Sequence, residues 1–233
     1  MRILGAVATS ATTRVPVYDQ TYNEPTSGAQ RSIKSASAND AAAGTGARTV
    51  KITYYTLNAT TGAIAGPFTE VLTLNGTTAV PTVATNIALI ERIEVVTAGS
   101  GGVAAGNISL YSAADGTGTV IAILASGGVR TYLGHHYVPS NGQCVVHDLT
   151  ATGGDSAAAL VELDAKQYAA TAQVEQPVEG LDGVSSAMAR AVPFGGNSLR
   201  VVGPCRVRAL VTPGNVNAQT TRVSFGYRDE IVR

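Results

Sequence analysis

The feature that most constrains this chain lies between residues 35 and 111, where apolar and polar residues alternate in short runs. The runs are cut by Asn-Asp, Gly-Thr-Gly, Asn-Gly and Gly-Ser-Gly-Gly. A side-chain period of two with turn residues between the runs predicts strands over residues 49–55, 70–74, 89–96 and 107–111. Val50, Ile52 and Tyr54 then share one face, and Lys51, Thr53 and Tyr55 the other. The same spacing assigns Leu72 with Leu74, and Ile108 with Leu110, to core faces. Glu91 breaks the rule, because it falls on the face of Leu89, Ile93 and Val95; it needs an ion partner, a sheet edge or an interface. Residues 120–124 are apolar on both faces, which suits either a central covered strand or one that meets a partner subunit.

Further strands are predicted over residues 143–149, 158–163, 199–202, 206–211 and 221–227, with Cys205, Val207, Ala209 and Val211 in one inward row. A short helix is expected only within residues 182–191, where good helix formers lie between Gly183 and Pro193. Turn signals recur roughly every 8–12 residues, as in sandwiches and barrels rather than parallel α/β sheets. The expected fold is all-β: a jelly-roll-like antiparallel β-sandwich over residues 34–233, preceded by an extended N-terminal arm over residues 1–33. Val15-Pro16-Val17-Tyr18 and Tyr22-Asn23-Glu24-Pro25 are extended stretches with no partner strand at hairpin distance, and proline biases its predecessor toward extended geometry. The alternative makes this region an N-terminal strand of the same sandwich.

Charge narrows the function classes. Charged residues are 14% of the chain, against roughly 25% in an average soluble domain, and 16 positive residues balance 16 negative ones. A free monomer with so sparse a surface charge lacks self-repulsion, which favours association with its own copies or with a larger assembly; compositional bias is the competing explanation. Lysine is confined to Lys34, Lys51 and Lys166, and arginine, the cation interfaces prefer, supplies the rest. No basic stripe suits nucleic acid, and no segment approaches the ~20 apolar residues that span a bilayer. Residues 1–11 are too short an apolar run for a secretory signal and are read as mature chain. Cys144 and Cys205 both lie in strand-like runs, and their spacing leaves open whether they pair.

Catalytic constellations are sparse. His135 and His136 would point to opposite faces of a strand, as would Cys144 and His147, so a four-ligand zinc site is not expected. Ser140, His147 and Asp148 read as a turn and a strand rather than a nucleophile with its base. Glu162, Asp164 and Glu179 could pair as acid and base only if the fold brings them together. The Gly99–Gly102 run opens no helix and carries no lysine, so it is not a phosphate loop. Asn58, Asn75 and Asn107 begin glycosylation triplets that abundant Thr and Ser explain by chance. The expectation is no catalytic residue, no metal and no cofactor: the chain is not read as an enzyme.

The wording of the chain carries a resemblance. Ser37-Ala-Asn-Asp40, Gly44-Thr-Gly-Ala-Arg-Thr-Val-Lys-Ile-Thr-Tyr54, Val71-Leu-Thr-Leu-Asn-Gly-Thr-Thr-Ala-Val80, Ile93-Glu-Val-Val-Thr-Ala-Gly-Ser-Gly-Gly102 and Tyr137-Val-Pro-Ser-Asn-Gly142 resemble β-sandwich structural proteins of tailed-bacteriophage virions, over residues 35–149. The resemblance implies a virion part, of the capsid decoration or cement type. Such a protein is a homo-oligomer, here a trimer, that sits on the capsid surface and clamps neighbouring copies of the major capsid protein. The contacts are expected from the arm: Arg14, Tyr18, Tyr22 and Arg31. Two alternatives stand beside it: a tail-fibre or receptor-binding head domain that recognises host surface glycans, and a jelly-roll enzyme dependent on His147.

Overall fold

The alternation is realised in antiparallel strands. The computed structural model describes residues 2–9, 15–18, 20–152, 159–168, 175–184, 189–193, 199–213 and 219–231. In chain order the strands begin with β1 (Arg2–Thr9), β2 (Val15–Pro16), β3 (Ser32–Ser35), β4 (Ala47–Leu57), β5 (Ile64–Thr73) and β6 (Val80–Pro81). Then come β7 (Leu89–Ala98), β8 (Ile108–Tyr111), β9 (Val120–Leu124), β10 (His135–Val138), β11 (Gly142–Thr152) and β12 (Ala159–Gln167). The last are β13 (Glu175–Val184), β14 (Ala189–Pro193), β15 (Leu199–Val202), β16 (Cys205–Pro213) and β17 (Gln219–Ile231). Among the described residues no helix is long and apolar enough to cross a membrane.

The chain divides into two compact units. Unit 1 comprises Met1–Asp19, Thr60–Ile64 and Tyr132–Arg233; unit 2 comprises Gln20–Ala59 and Ala65–Thr131. Unit 1 is a β-sandwich. One sheet runs β1-β17-β11-β14 with β15 also on β11, and the other runs β10-β16-β12-β13 with β2 on β16. Between them lies one apolar core: Val146, Leu149, Val223, Phe225 and Tyr227 from the first sheet meet Val161, Leu163, Val207, Ala209 and Val211 from the second. The inward row from Cys205 to Val211 is therefore buried as the period predicts.

Unit 2 holds a four-stranded sheet, β6-β3-β8-β9, and a three-stranded sheet, β5-β4-β7. Its buried apolar side chains include Ile33, Ile52, Leu72, Leu74, Ile93, Ile108 and Leu110. The expected core assignments for strands 70–74 and 107–111 hold. Strand β4 departs from simple alternation: Ile52, Thr53, Tyr54 and Tyr55 are all buried. A bulge lies opposite this stretch: the ladder passes from Thr53↔Arg92 directly to Tyr54↔Ile90, which leaves Glu91 as the extra residue on β7. The position that broke the pattern in sequence is thus the position where the strand slips.

Described segments within residues 1–33 pair as strands, as the alternative of an N-terminal strand has it. Arg2–Thr9 pairs along its whole length with β17, from Arg2↔Gly226 to Thr9↔Gln219, and Val15–Pro16 pairs with Val211 and Leu210 of β16. An extended segment left alone would expose a row of backbone donors and acceptors, and pairing satisfies them. The short helix within residues 182–191 is replaced by strand on both sides: Val184 pairs with Ala159, and Ala189 to Ala191 pair with Thr152 to Thr150. Residues 185–188 lie outside the described residues. Finally, Val120–Leu124 ends its sheet, and its outer edge is covered by residues 22 and 23. Tyr22 bridges Ala122, Asn23 N donates to Ile121 O at 2.7 Å, and Asn23 Nδ2 donates to Val120 O at 2.7 Å.

Candidate functional site

The residues expected to touch a partner do not form one surface. Arg14 lies outside the described residues. Tyr18, in unit 1, bridges Leu133 and sets its ring edge-on to His135 at 5.6 Å. Tyr22, in unit 2, is buried, and its hydroxyl accepts from Ile90 N at 3.4 Å. Arg31 is 4% exposed. Its guanidinium donates to three backbone carbonyls, from Nε to Ile87 at 3.0 Å, from Nη1 to Ser112 at 2.8 Å and from Nη2 to Ser27 at 2.6 Å. Burial lowers its basicity from the usual arginine value. The fork that suits arginine to carboxylates at interfaces here ties three loops of its own unit. Sequence could supply the residue type but not the direction in which it points.

Surface chemistry is instead carried by exposed apolar side chains and locally cancelled charge. Val83 is 84% exposed and Ile231 76%, and Phe68, Val71, Val96, Val129 and Val202 are also exposed. Lys51 and Arg92 both pair with Glu94, Arg228 and Arg200 both pair with Glu230, and Arg208 pairs with the buried Asp164. A hydrogen bond from Gln143, before the two arginines, holds the Glu230 carboxyl below the usual carboxylate range.

The remaining chemistry lies at one edge of the unit 1 core. Strand β10 is buried along its length, so His135 and His136 are core residues. They face opposite ways, as the strand period requires. His135 packs against Tyr137, with ring centroids 4.9 Å apart, and His136 lies over Tyr227 at 4.1 Å. His136 Nε2 stands 2.9 Å from Asp229 Oδ1. Cys144 is the direct cross-strand partner of Asp229, so both side chains leave the sheet on one face. The ligand atoms of His136, Cys144 and Asp229 all lie within 4.8 Å of one another. The sequence reading weighed His135, His136, Cys144 and His147 together, and the fold exchanges that set: His147 sits at the bulge where the β11–β17 ladder passes from Val146↔Tyr227 to Asp148↔Gly226. Asp229 had no signal in sequence, since it lies far along the chain in a strand end that reads as surface.

The other candidates lie outside this cluster. Ser140 Oγ accepts from Ile64 N at 2.8 Å in a turn, as its sequence suggested. Asp164 is buried in its pairing with Arg208 Nε at 3.0 Å, and the Glu179 side chain lies outside the described residues. Cys144 and Cys205 are both buried and are not joined in a disulfide.

No family model matches the chain, and no curated protein does. Among solved structures it is similar to chains of infectious bursal disease virus particles. The Gx strain structure aligns at TM-score 0.27 and 8% identity, covering 97% of this chain and 71% of that one. A mutant VP2 protein in derived T=1 particles aligns at TM-score 0.26 and 10% identity, covering 98% and 74%. The VP2 subviral particle gives TM-score 0.26 and 10% identity, covering 95% and 67%. The similarity is slight, and the chain's own residues carry the functional reading.

Proposed function

We propose that this chain is a structural part of a bacteriophage virion, a capsid decoration or cement protein that self-associates as a trimer and clamps neighbouring capsid subunits. The observation that carries this reading is the exterior: Val83 and Ile231 stand in solvent, and charges such as Lys51–Glu94 and Arg228–Glu230 are cancelled by their neighbours. Such a surface repels other protein weakly and gains by being covered. The resemblance of residues 35–149 to tailed-phage virion sandwiches supplies the setting. The role is mechanical rather than catalytic. Each covered patch above about 1,000 Å² adds a specific contact, and repetition over a shell multiplies modest affinities.

The test is addition of the purified chain to undecorated phage shells, with sedimentation to separate bound from free. Saturation at a fixed ratio per capsid subunit, together with a trimer in solution, is the expected result. A chain that stays monomeric and remains in the supernatant overturns the reading. Binding to host cells or polysaccharide in place of shells favours the receptor-binding alternative.

A further inference from the structure

We propose that His136, Cys144 and Asp229 form a binding site for a zinc-class divalent cation at the edge of the unit 1 core. Three donors of three chemical kinds converge from three strands: an imidazole on β10, a thiol on β11 and a carboxylate on β17. Zinc takes this mixed set, with bonds of about 2.3 Å to sulfur and about 2.0–2.2 Å to nitrogen and oxygen, which places tetrahedral ligands about 3.3–3.7 Å apart. The His136–Asp229 separation of 2.9 Å has to open by a few tenths of an ångström, and the widest separation in the group, at most 4.8 Å, has to close by about 1 Å. Rotation of the Asp229 side chain, 49% exposed, accommodates the first change.

The surroundings suit the task. The His136 ring is held against Tyr227, and that residue and Asp229 lie on the same face of β17, two positions apart. Cys144 is fixed opposite Asp229 by the β11–β17 ladder. Asp229 forms the open side, which gives the ion an entry path and leaves a fourth position for water. A thiolate and an imidazole select zinc over calcium or magnesium, which prefer oxygen. On binding, the Cys144 thiol gives its proton to solvent and the sulfur bonds the metal, so uptake releases a proton. Since β10 belongs to one sheet of the sandwich and β11 and β17 to the other, the ion staples the two sheets.

The experiment titrates zinc alone into the chelator-treated full chain, followed by metal analysis after gel filtration and by thermal melting. One equivalent of zinc retained and a raised Tm are expected. Asp229→Asn, at the exposed end and nearly isosteric, should weaken zinc binding at least tenfold, and Cys144→Ala at least a hundredfold. Cobalt supplies a second readout: the sulfur-to-cobalt charge-transfer band should appear in the unaltered chain and in Asp229→Asn and vanish in Cys144→Ala. Less than a tenth of an equivalent retained, or affinity unchanged in Asp229→Asn, overturns the proposal and leaves a buried histidine bonded to a carboxylate. If Cys144→Ala fails to fold, the cobalt band in Asp229→Asn decides: its absence at saturating cobalt excludes the thiol as a ligand.

Discussion

Ser35 Oγ donates to Asp40 Oδ2 at 2.5 Å, and the same buried carboxylate gathers three backbone donors from distant parts of unit 2. Ala47 N and Ala105 N reach Oδ1 at 2.7 and 2.8 Å, and Gly106 N reaches Oδ2 at 2.9 Å. Asp40 therefore ties the turn after β3 to the start of β4 and to the loop before β8. Hydrogen bonds to an ionised acceptor are the strong ones, and donors left buried without a partner carry the full desolvation penalty. Asp40→Ala is expected to destabilise unit 2 by about 3–5 kcal/mol. Asp40→Asn should cost less, because its oxygen still serves two amides while its NH2 opposes Gly106 N. Urea denaturation with both variants gives the order; equal stability of Asp40→Ala and the unaltered chain would show the carboxylate to be dispensable.

Arg31 separates a partner contact from an internal tie. Its three carbonyl acceptors lie within its own unit; Arg31→Ala leaves the part-buried Ser112 and Ser27 oxygens short of this donor, at about 1 kcal/mol or more each, while Ile87 O keeps Ala29 N at 3.1 Å. Arg31→Lys cannot span them, since an ammonium is a compact donor rather than a planar fork. Both variants should lower the unfolding midpoint of the isolated chain, with lysine recovering less than half of the loss. A residue that serves only a partner would leave the isolated chain unchanged.

The strands were largely readable, and the reason is local. Burial on one face imposes a period of two, so the rows at Leu72 and Leu74, Ile108 and Leu110, and Cys205 to Val211 are all buried as spaced. Glu91 was readable as an anomaly but not as a bulge, because a bulge is defined by the opposite strand. The start of the chain was hidden for the same reason: residues 2–9 and 15–16 pair with β17 and β16, near the other end of the chain, and no local signal connects them. The cluster of His136, Cys144 and Asp229 was hidden more deeply still: each residue alone looks like core or surface, and only the registers of two sheets bring them together.

Cys205 provides a pH signature. Burial pushes its thiol from the ordinary 9.0 up to about 12. The folded chain keeps the proton where the unfolded chain loses it, so the contribution to stability is whole below about pH 9 and declines as pH rises toward 12. Melting curves across this range should fall less steeply for Cys205→Ala than for the unaltered chain. At pH 8, a thiol reagent should modify Cys205 only after denaturant is added, with the site identified by peptide mass; rapid labelling of the native protein would contradict the buried environment.

Val83 tests whether the apolar exterior has a use. Its side chain is 84% exposed, while its backbone N–H is anchored by Glu70 Oε1 at 2.6 Å and the adjacent Ala84 N reaches Oε2 at 3.2 Å. The backbone is thus held in place by a carboxylate, and the valine itself adds little to the fold. Val83→Lys should alter stability by no more than about 0.5 kcal/mol, as surface substitutions do. A charge placed at the centre of a covered patch costs far more than one in water, because it must be desolvated. If Val83 lies in an interface between copies or with a shell, Val83→Lys shifts the trimer toward monomer, or lowers the ratio bound to shells, with the melting temperature preserved. Unchanged assembly in Val83→Lys would place the contact elsewhere, and Ile231→Lys, at the other strongly exposed apolar position, then repeats the measurement on unit 1.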